Sequence, residues 1–265
     1  MKKYGFVGAG KMGGAIVRGL LKSAAKPQEI CCVGGADGTG QHLAEQTGIS
    51  CENSIAEVLG KARTVVLACK PQQLAEIAAS AGGAKNEVLI SILAGTSTAR
   101  LRQCFPNVGK IVRVMPNMPA QIGQGISCYA PEKPLTESER KTVEEVLSAI
   151  GEVIEIEECR LDAVTALSGS GPGYIFEFAA AMIEGAKAIG FTQEEAVKLV
   201  NKTMIGSAML LVESPLSADE LCKAVSSPGG TTLAGLDELK KANFRETVRK
   251  MLVAARERSR ELSKL

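Results

Sequence analysis

A chain of 265 residues, 45% of them hydrophobic, is long enough for one large domain and a smaller one. A net charge of only +2 with both signs interspersed, 3% aromatics and no Trp supply neither a single-sign field nor a base-stacking platform, so no nucleic-acid partner is expected. The lone histidine, His42, cannot by itself complete a two-His metal site or a Ser-His triad.

Lys2 and Lys3 precede an apolar run that superficially resembles a secretory signal, but Lys11, Arg18 and several glycines interrupt it. A strand, a tight turn and a helix explain the same residues better. No stretch of about 20 uncharged apolar residues follows, so no membrane span is expected and the chain reads as cytoplasmic. Short β-branched runs then alternate with helical patterns. Strands are predicted over 4–7, 30–33, 64–69, 88–92, 111–114, 126–129 and 153–156. Helices are predicted over 12–22, 54–60, 74–81 and 137–150. That alternation is the pattern of a doubly wound, mostly parallel sheet covered by helices, here a Rossmann-like α/β domain over residues 1–158.

From residue 159 to 265 the strand runs stop, and an all-helical domain is expected. Pro172 suits the first turn of a helix reaching Gly190. Thr192 with Glu195, and Ser217 with Glu220, have capping-box spacing, and Asn243 with Glu246 precedes a last helix to about Leu262. Residues 174–189 are apolar on nearly every side, which points to burial against a second subunit.

The cysteines Cys31, Cys32, Cys51, Cys69, Cys104, Cys128, Cys159 and Cys222 form no C-x-x-C pair, and most lie in apolar runs where a thiol packs as a small hydrophobe. No metal site is expected. Gly8-Ala9-Gly10-Lys11-Met12-Gly13 follows the first strand and opens the first helix, the context a dinucleotide-binding G-x-G-x-x-G needs. The first glycine permits the turn, the second lets backbone approach a diphosphate, and the third lets helix and strand pack closely. The helix N-terminus offers free N–H groups and partial positive charge to that diphosphate. Ala68, Lys70 and Pro71, and Ser91, Ala94 and Gly95, should lie beyond the carboxyl ends of their strands, where open α/β sheets bind ligands.

The choice between NAD and NADP stays open. The acid expected after the second strand is missing; Asp37 sits late, and no Lys or Arg occurs between Lys26 and Lys61. Backbone N–H groups of residues 34–40 with the Thr39 hydroxyl offer a nest in which a phosphate can sit.

Three further segments are too rich in Gly, Pro, Ser and Thr for core: Arg113-Val114-Met115-Pro116-Asn117-Met118-Pro119-Ala120, Leu167-Ser168-Gly169-Ser170-Gly171-Pro172-Gly173-Tyr174 and Ser226-Ser227-Pro228-Gly229-Gly230-Thr231-Thr232. With the Gly8 turn and Lys70-Pro71-Gln72, in this order and along nearly the whole chain, they resemble the pyrroline-5-carboxylate reductase family. The resemblance implies NAD(P)H-dependent hydride transfer to C5 of a small cyclic imine, giving proline. It also implies a helical domain that intertwines with a partner in a homodimer or larger oligomer, with the active site between the two kinds of domain. Asn53 matches the family's Asn near the adenosine ribose, a helix N-cap being its plain alternative. Met115, Pro116 and Asn117 are expected on the cofactor side. Gly173 stands where the family usually has Ala, and the glycine-rich second-strand loop is the larger departure.

Independently of the resemblance, a loop of Ser227, Pro228, Gly229 and Gly230 leading into a helix near Thr231 presents N–H groups of Gly230, Thr231 and Thr232 to a carboxylate. Thr232, which also matches the family's substrate-contacting Thr, is the candidate catalytic hydroxyl beside the ring nitrogen that the resemblance implies. Ser168 and Ser170 have no base partner and are not expected to act as nucleophiles. The competing readings are another imine reductase, a 3-hydroxy acid dehydrogenase of similar architecture, or a non-catalytic dinucleotide sensor.

Overall fold

The computed structural model describes residues 1–23, 25–81 and 83–263. The last two positions of the second expected domain lie outside the described residues. Strands β1 (Lys2–Val7), β2 (Ile30–Val33), β3 (Ser50–Cys51), β4 (Ala62–Leu67), β5 (Val88–Ser91), β6 (Lys110–Met115), β7 (Gly125–Pro131) and β8 (Gly151–Glu155) form one sheet ordered β3-β2-β1-β4-β5-β6-β7-β8. Pairing is parallel from β3 to β6, with Phe6 opposite Cys32 and Val7 opposite Leu67. β7 runs antiparallel to β6, with Val114 opposite Tyr129, and β8 is parallel to β7. The mostly parallel doubly wound sheet is therefore present.

The strands read as continuous apolar runs because both faces are covered. Helices α1 (Lys11–Ser23) and α6 (Glu137–Ser148) bring Ile16, Val17, Leu20, Val143, Val146 and Leu147 onto one face, against Tyr4, Phe6, Val66 and Ile90. On the other, Val58 and Leu59 of α3 (Ile55–Lys61), Leu74 and Ile77 of α4 (Leu74–Ala79) and Leu101 of α5 (Thr98–Cys104) pack on Val65, Leu67 and Leu89. Each such side chain contributes about 1.5–3 kcal/mol when fully buried. Hydroxyl caps begin several of these helices: Ser54 Oγ accepts from Glu57 N at 3.2 Å and Ser97 Oγ from Arg100 N at 3.2 Å.

The sequence reading missed three short elements: β3, α5 and helix α2 (Thr39–Thr47). Two strand residues or two helical turns carry too little periodicity to stand out. β4 starts and stops two residues earlier than predicted, because Ala68 N–H makes a last bond to Val7 O at 2.8 Å and the chain then turns away over Gly8.

Beyond β8 come α7 (Leu161–Val164), a π-helical turn Thr165–Gly169, and helices α8 (Gly171–Ala188), α9 (Gln193–Glu213), α10 (Ala218–Ala224), α11 (Thr231–Lys241) and α12 (Phe244–Leu262). Capping boxes form at Thr192 with Glu195 and at Ser217 with Glu220. The chain divides into two compact units, Met1–Ser170 with the chain from Ala255 onward, and Gly171–Ala254. Residues just past 158 thus pack with the sheet: Leu161 joins Cys128 and Ala130, and Asp162 Oδ1 accepts from Ser259 Oγ at 2.7 Å. In the helical unit only Ala196 and Val200 are buried among the described residues, whereas Phe176 of α8 is 58% exposed and Val212 of α9 84%. No described helix is long and apolar enough to cross a membrane.

Candidate functional site

Strands β1, β2, β4, β5 and β6 are parallel, so the segments that follow them emerge along one edge of the sheet. Strand order reverses there, one branch running from β1 to β2 and β3 and the other from β4 to β6, and that switch opens a crevice. A cleft of about 590 Å³ lies in it, lined by Gly8, Ala9 and Gly10, by Gly34 to Asp37 and Thr39, by Ala68 to Lys70, and by Gln73, Glu76 and Ile77.

The glycines of the first turn differ in what constrains them. Gly8 has φ +105°, and a Cβ there would lie 2.5 Å from Ala68 O. At Gly13 it would meet Gly8 O at 2.4 Å, so the first turn of α1 sits directly on the loop. A Cβ at Gly10 would meet no atom within 4 Å, which leaves open space where a diphosphate needs it. Lys11, Met12 and Gly13 form the first helical turn, with no acidic residue in it. Their N–H groups, too early for helical partners, face outward as an anion site. A dinucleotide therefore fits the residues present.

The remaining predicted residues are distributed along the same edge. Ala68 and Lys70 line the cleft, and Pro71 starts the short turn into α4. Asn53 is exposed and is not the helix cap, since Ser54 fills that role. Ser91 is fully buried and its Oγ accepts from Leu93 N, so Ala94 and Gly95 are the accessible part of that segment. Met115 packs on Gly169, Pro116 is buried, and Asn117 Oδ1 accepts from Ile126 N at 3.0 Å, which fixes the connection into β7. Gln73, Glu76 and Ile77 were missed, although their i, i+3, i+4 spacing directly after Pro71 places them on one helix face.

The loop after β2 closes on itself. A Cβ at Gly34 would lie 2.3 Å from Gly40 N, and Gly38, at φ +74°, leads into α2. Asp37 Oδ1 accepts from Thr39 Oγ1 at 2.8 Å and Thr39 N at 3.2 Å. These hydrogen bonds hold its carboxyl below the ordinary carboxylate range, with Lys70 adding to the effect. The Thr39 groups nominated above for a phosphate are thus engaged by a carboxylate of the chain itself.

In the helical unit, Ser227-Pro228-Gly229-Gly230 is a tight turn with Pro in the second position and Gly229 at φ +72° in the third. Gly230 N donates to Ser227 O at 2.9 Å, which corrects the expectation that this N–H is free. Thr231 and Thr232 begin α11 with Gly230 as cap residue, and their N–H groups find no acceptor among the described residues. A Cβ at Gly230 would strike Ser227 Oγ at 2.4 Å, so the turn tolerates no larger residue there without moving that serine.

Burial pushes the Cys69 thiol up to about 11, and Ser168 Oγ is turned to Val164 O at 3.2 Å. No group of three or more His, Cys, Asp or Glu is gathered for a metal among the described residues.

Comparison with known proteins gives a consistent set of relatives. Residues 158–262 match the family model for pyrroline-5-carboxylate reductase dimerisation, and residues 3–95 that of a coenzyme F420-dependent NADP oxidoreductase. The pyrroline-5-carboxylate reductase of Arabidopsis thaliana is 35% identical over 98% of this chain and 95% of its own length. A solved pyrroline-5-carboxylate reductase from Coxiella burnetii superposes with a TM-score of 0.92 at 31% identity, covering 100% of this chain and 99% of the other. The Plasmodium falciparum enzyme, solved with NADP bound, gives 0.88 at 29% identity, covering 99% and 98%. End-to-end similarity of this kind, together with the glycine cradle at the sheet edge and the Ser-Pro-Gly-Gly turn, establishes that the chain belongs to the pyrroline-5-carboxylate reductase family.

Proposed function

We propose that this chain reduces the C=N bond of pyrroline-5-carboxylate at the expense of NAD(P)H, giving L-proline. The observation that carries the reading is that two glycine-shaped anion cradles, the Gly8 to Gly13 turn and the Ser227 to Thr232 turn, occur in a chain similar from end to end to such reductases. Bound in the sheet-edge cleft, the reduced dinucleotide supplies the hydride that adds to C5 of the ring.

The chain's own groups bind and orient. Gly10, Lys11, Met12 and Gly13 hold the diphosphate through backbone N–H groups at and just before the start of α1, while Gly8, whose N–H is bonded to Val33 O, makes the turn. Asn53, Ala68, Lys70, Pro71, Ala94 and Gly95 are proposed to flank the rest of the dinucleotide, with Ser91, Met115, Pro116 and Asn117 supporting the loops. Thr231 and Thr232 N–H groups receive the substrate carboxylate, with Ser227, Gly229 and Gly230 shaping the turn. Thr232 Oγ1 holds the proton side of the ring nitrogen. The ring arrives protonated as an iminium, becomes a neutral secondary amine when hydride adds, and then takes a proton from water. Little acid–base machinery is required, so the main contribution is placement of two reactants, which is able to supply several kcal/mol.

The exposed apolar side chains of α8 and α9 support a homodimer in which a second copy covers them. The test of the reading supplies purified protein with pyrroline-5-carboxylate and NADH or NADPH, and follows dihydronicotinamide absorbance together with proline. Turnover with this imine and none with the oxidised forms of 3-hydroxy acids supports it; silence with both cofactors overturns it.

A further inference from the structure

Which of the two dinucleotides the cleft favours is decided at its adenosine end. In sheets of this kind the residues after the second strand face the adenosine ribose: a carboxylate there accepts hydrogen bonds from a free 2′-hydroxyl, and a cation accommodates a 2′-phosphate. The loop from Gly34 to Gly38 contains no Lys or Arg, and the pinch of Gly34 against Gly40 excludes a side chain at the first loop position. Among the donors at the α2 N-terminus, both groups of Thr39 are already engaged. Asp37 Oδ1 takes both the N–H and the hydroxyl of Thr39, the groups a phosphate would need. Asp37 itself is exposed and lines the cleft with Thr39.

We infer that Asp37 is the cofactor-selecting residue of this chain, favouring NADH by accepting from the ribose hydroxyls and repelling the 2′-phosphate of NADPH. The inference rests on the reductase reading above and adds a preference to it. The carboxyl is charged at neutral pH as any exposed aspartate is, and the Thr39 hydrogen bonds shift it further in that direction. Lys70 also lines the cleft and its field reaches Asp37, so among the described lining residues it is the cation that works against the discrimination.

Equilibrium titration separates these effects without relying on turnover. NADH and NADPH are titrated into the full-length protein by calorimetry at low and high salt, for the unaltered chain and for Asp37→Asn, Asp37→Ser and Lys70→Gln. Asp37→Asn keeps an acceptor for Thr39 and removes only the charge. The expected result is an unaltered chain that binds NADH at least tenfold more tightly than NADPH. That ratio falls at least fivefold in both Asp37 variants, narrows at high salt because an exposed charge is screened, and widens in Lys70→Gln. NADPH binding as tightly as NADH to the unaltered chain overturns the inference and leaves the reductase reading standing, as does a ratio unmoved by Asp37→Asn. Absence of binding by either dinucleotide overturns both.

Discussion

Replacing Gly8 and Gly10 separately by Ala tests whether the two glycines do different work. At Gly8 the added Cβ lies 2.5 Å from Ala68 O, 2.6 Å from Ala68 C and 2.7 Å from Cys69 N. All three are backbone atoms of the segment after β4, so no flexible side chain can yield. Positive φ costs an L-residue about 1–2 kcal/mol, and forcing two main-chain segments apart adds about 1–3 kcal/mol. A loss of about 3 kcal/mol lowers Tm by about 6–12 °C in a protein of this size. At Gly10 the Cβ meets nothing, so the melting temperature should stay close to that of the unaltered chain. The methyl instead occupies the diphosphate's approach, and dinucleotide affinity should fall at least tenfold, about 1.4 kcal/mol. Differential scanning calorimetry and cofactor titration read the two quantities independently. Gly8→Ala with an unchanged melting temperature, or Gly10→Ala with unchanged affinity, refutes the reasoning.

Thr232→Val should lower kcat/KM for the imine about ten- to a hundredfold, the worth of a hydrogen bond to a charged group, with melting unchanged because the residue is exposed; steady-state kinetics with equal turnover would remove the hydroxyl from the mechanism. Phe176→Glu on α8 should convert a dimer seen by light scattering into monomer at micromolar concentration, and an unaffected dimer would place the interface elsewhere. Burial raises Cys31 to about 11, Cys32 to about 12 and Cys69 to about 11, from an ordinary value of 9.0. Raised thiols contribute stability that is fully present below pH 9.0 and is lost as pH climbs through about 11 to 12. Denaturant midpoints measured across that window should fall, and a flat profile would show that these thiols titrate normally. Asn117→Ala strands the Ile126 N–H, which should cost about 1–3 kcal/mol in chemical denaturation.

Local chemistry made much of this protein legible from residue order alone. Gly8 and Gly13 between an apolar run and a helix announce a turn that needs glycine, with Gly10 leaving open space between them, and capping pairs such as Thr192 with Glu195 mark helix starts through their own hydrogen bonds. Alternating strand and helix runs likewise announce the doubly wound sheet, because burial on both faces writes itself as continuous β-branched sequence. What had to wait for the folded chain depends on neighbours distant in sequence. Two-residue β3 exists only because β2 offers it a ladder, and Ser91 proved buried because its strand lies deep in the sheet. Asp37 reads from sequence as an acid a few residues late for a ribose; the selecting role inferred for it depends on Gly34 folding onto Gly40 and on the start of α2 delivering Thr39 to its carboxylate. Spacing along the chain carries hydrogen bonds between near neighbours, whereas the positions of loops across a sheet edge follow from strand order, which no local pattern encodes.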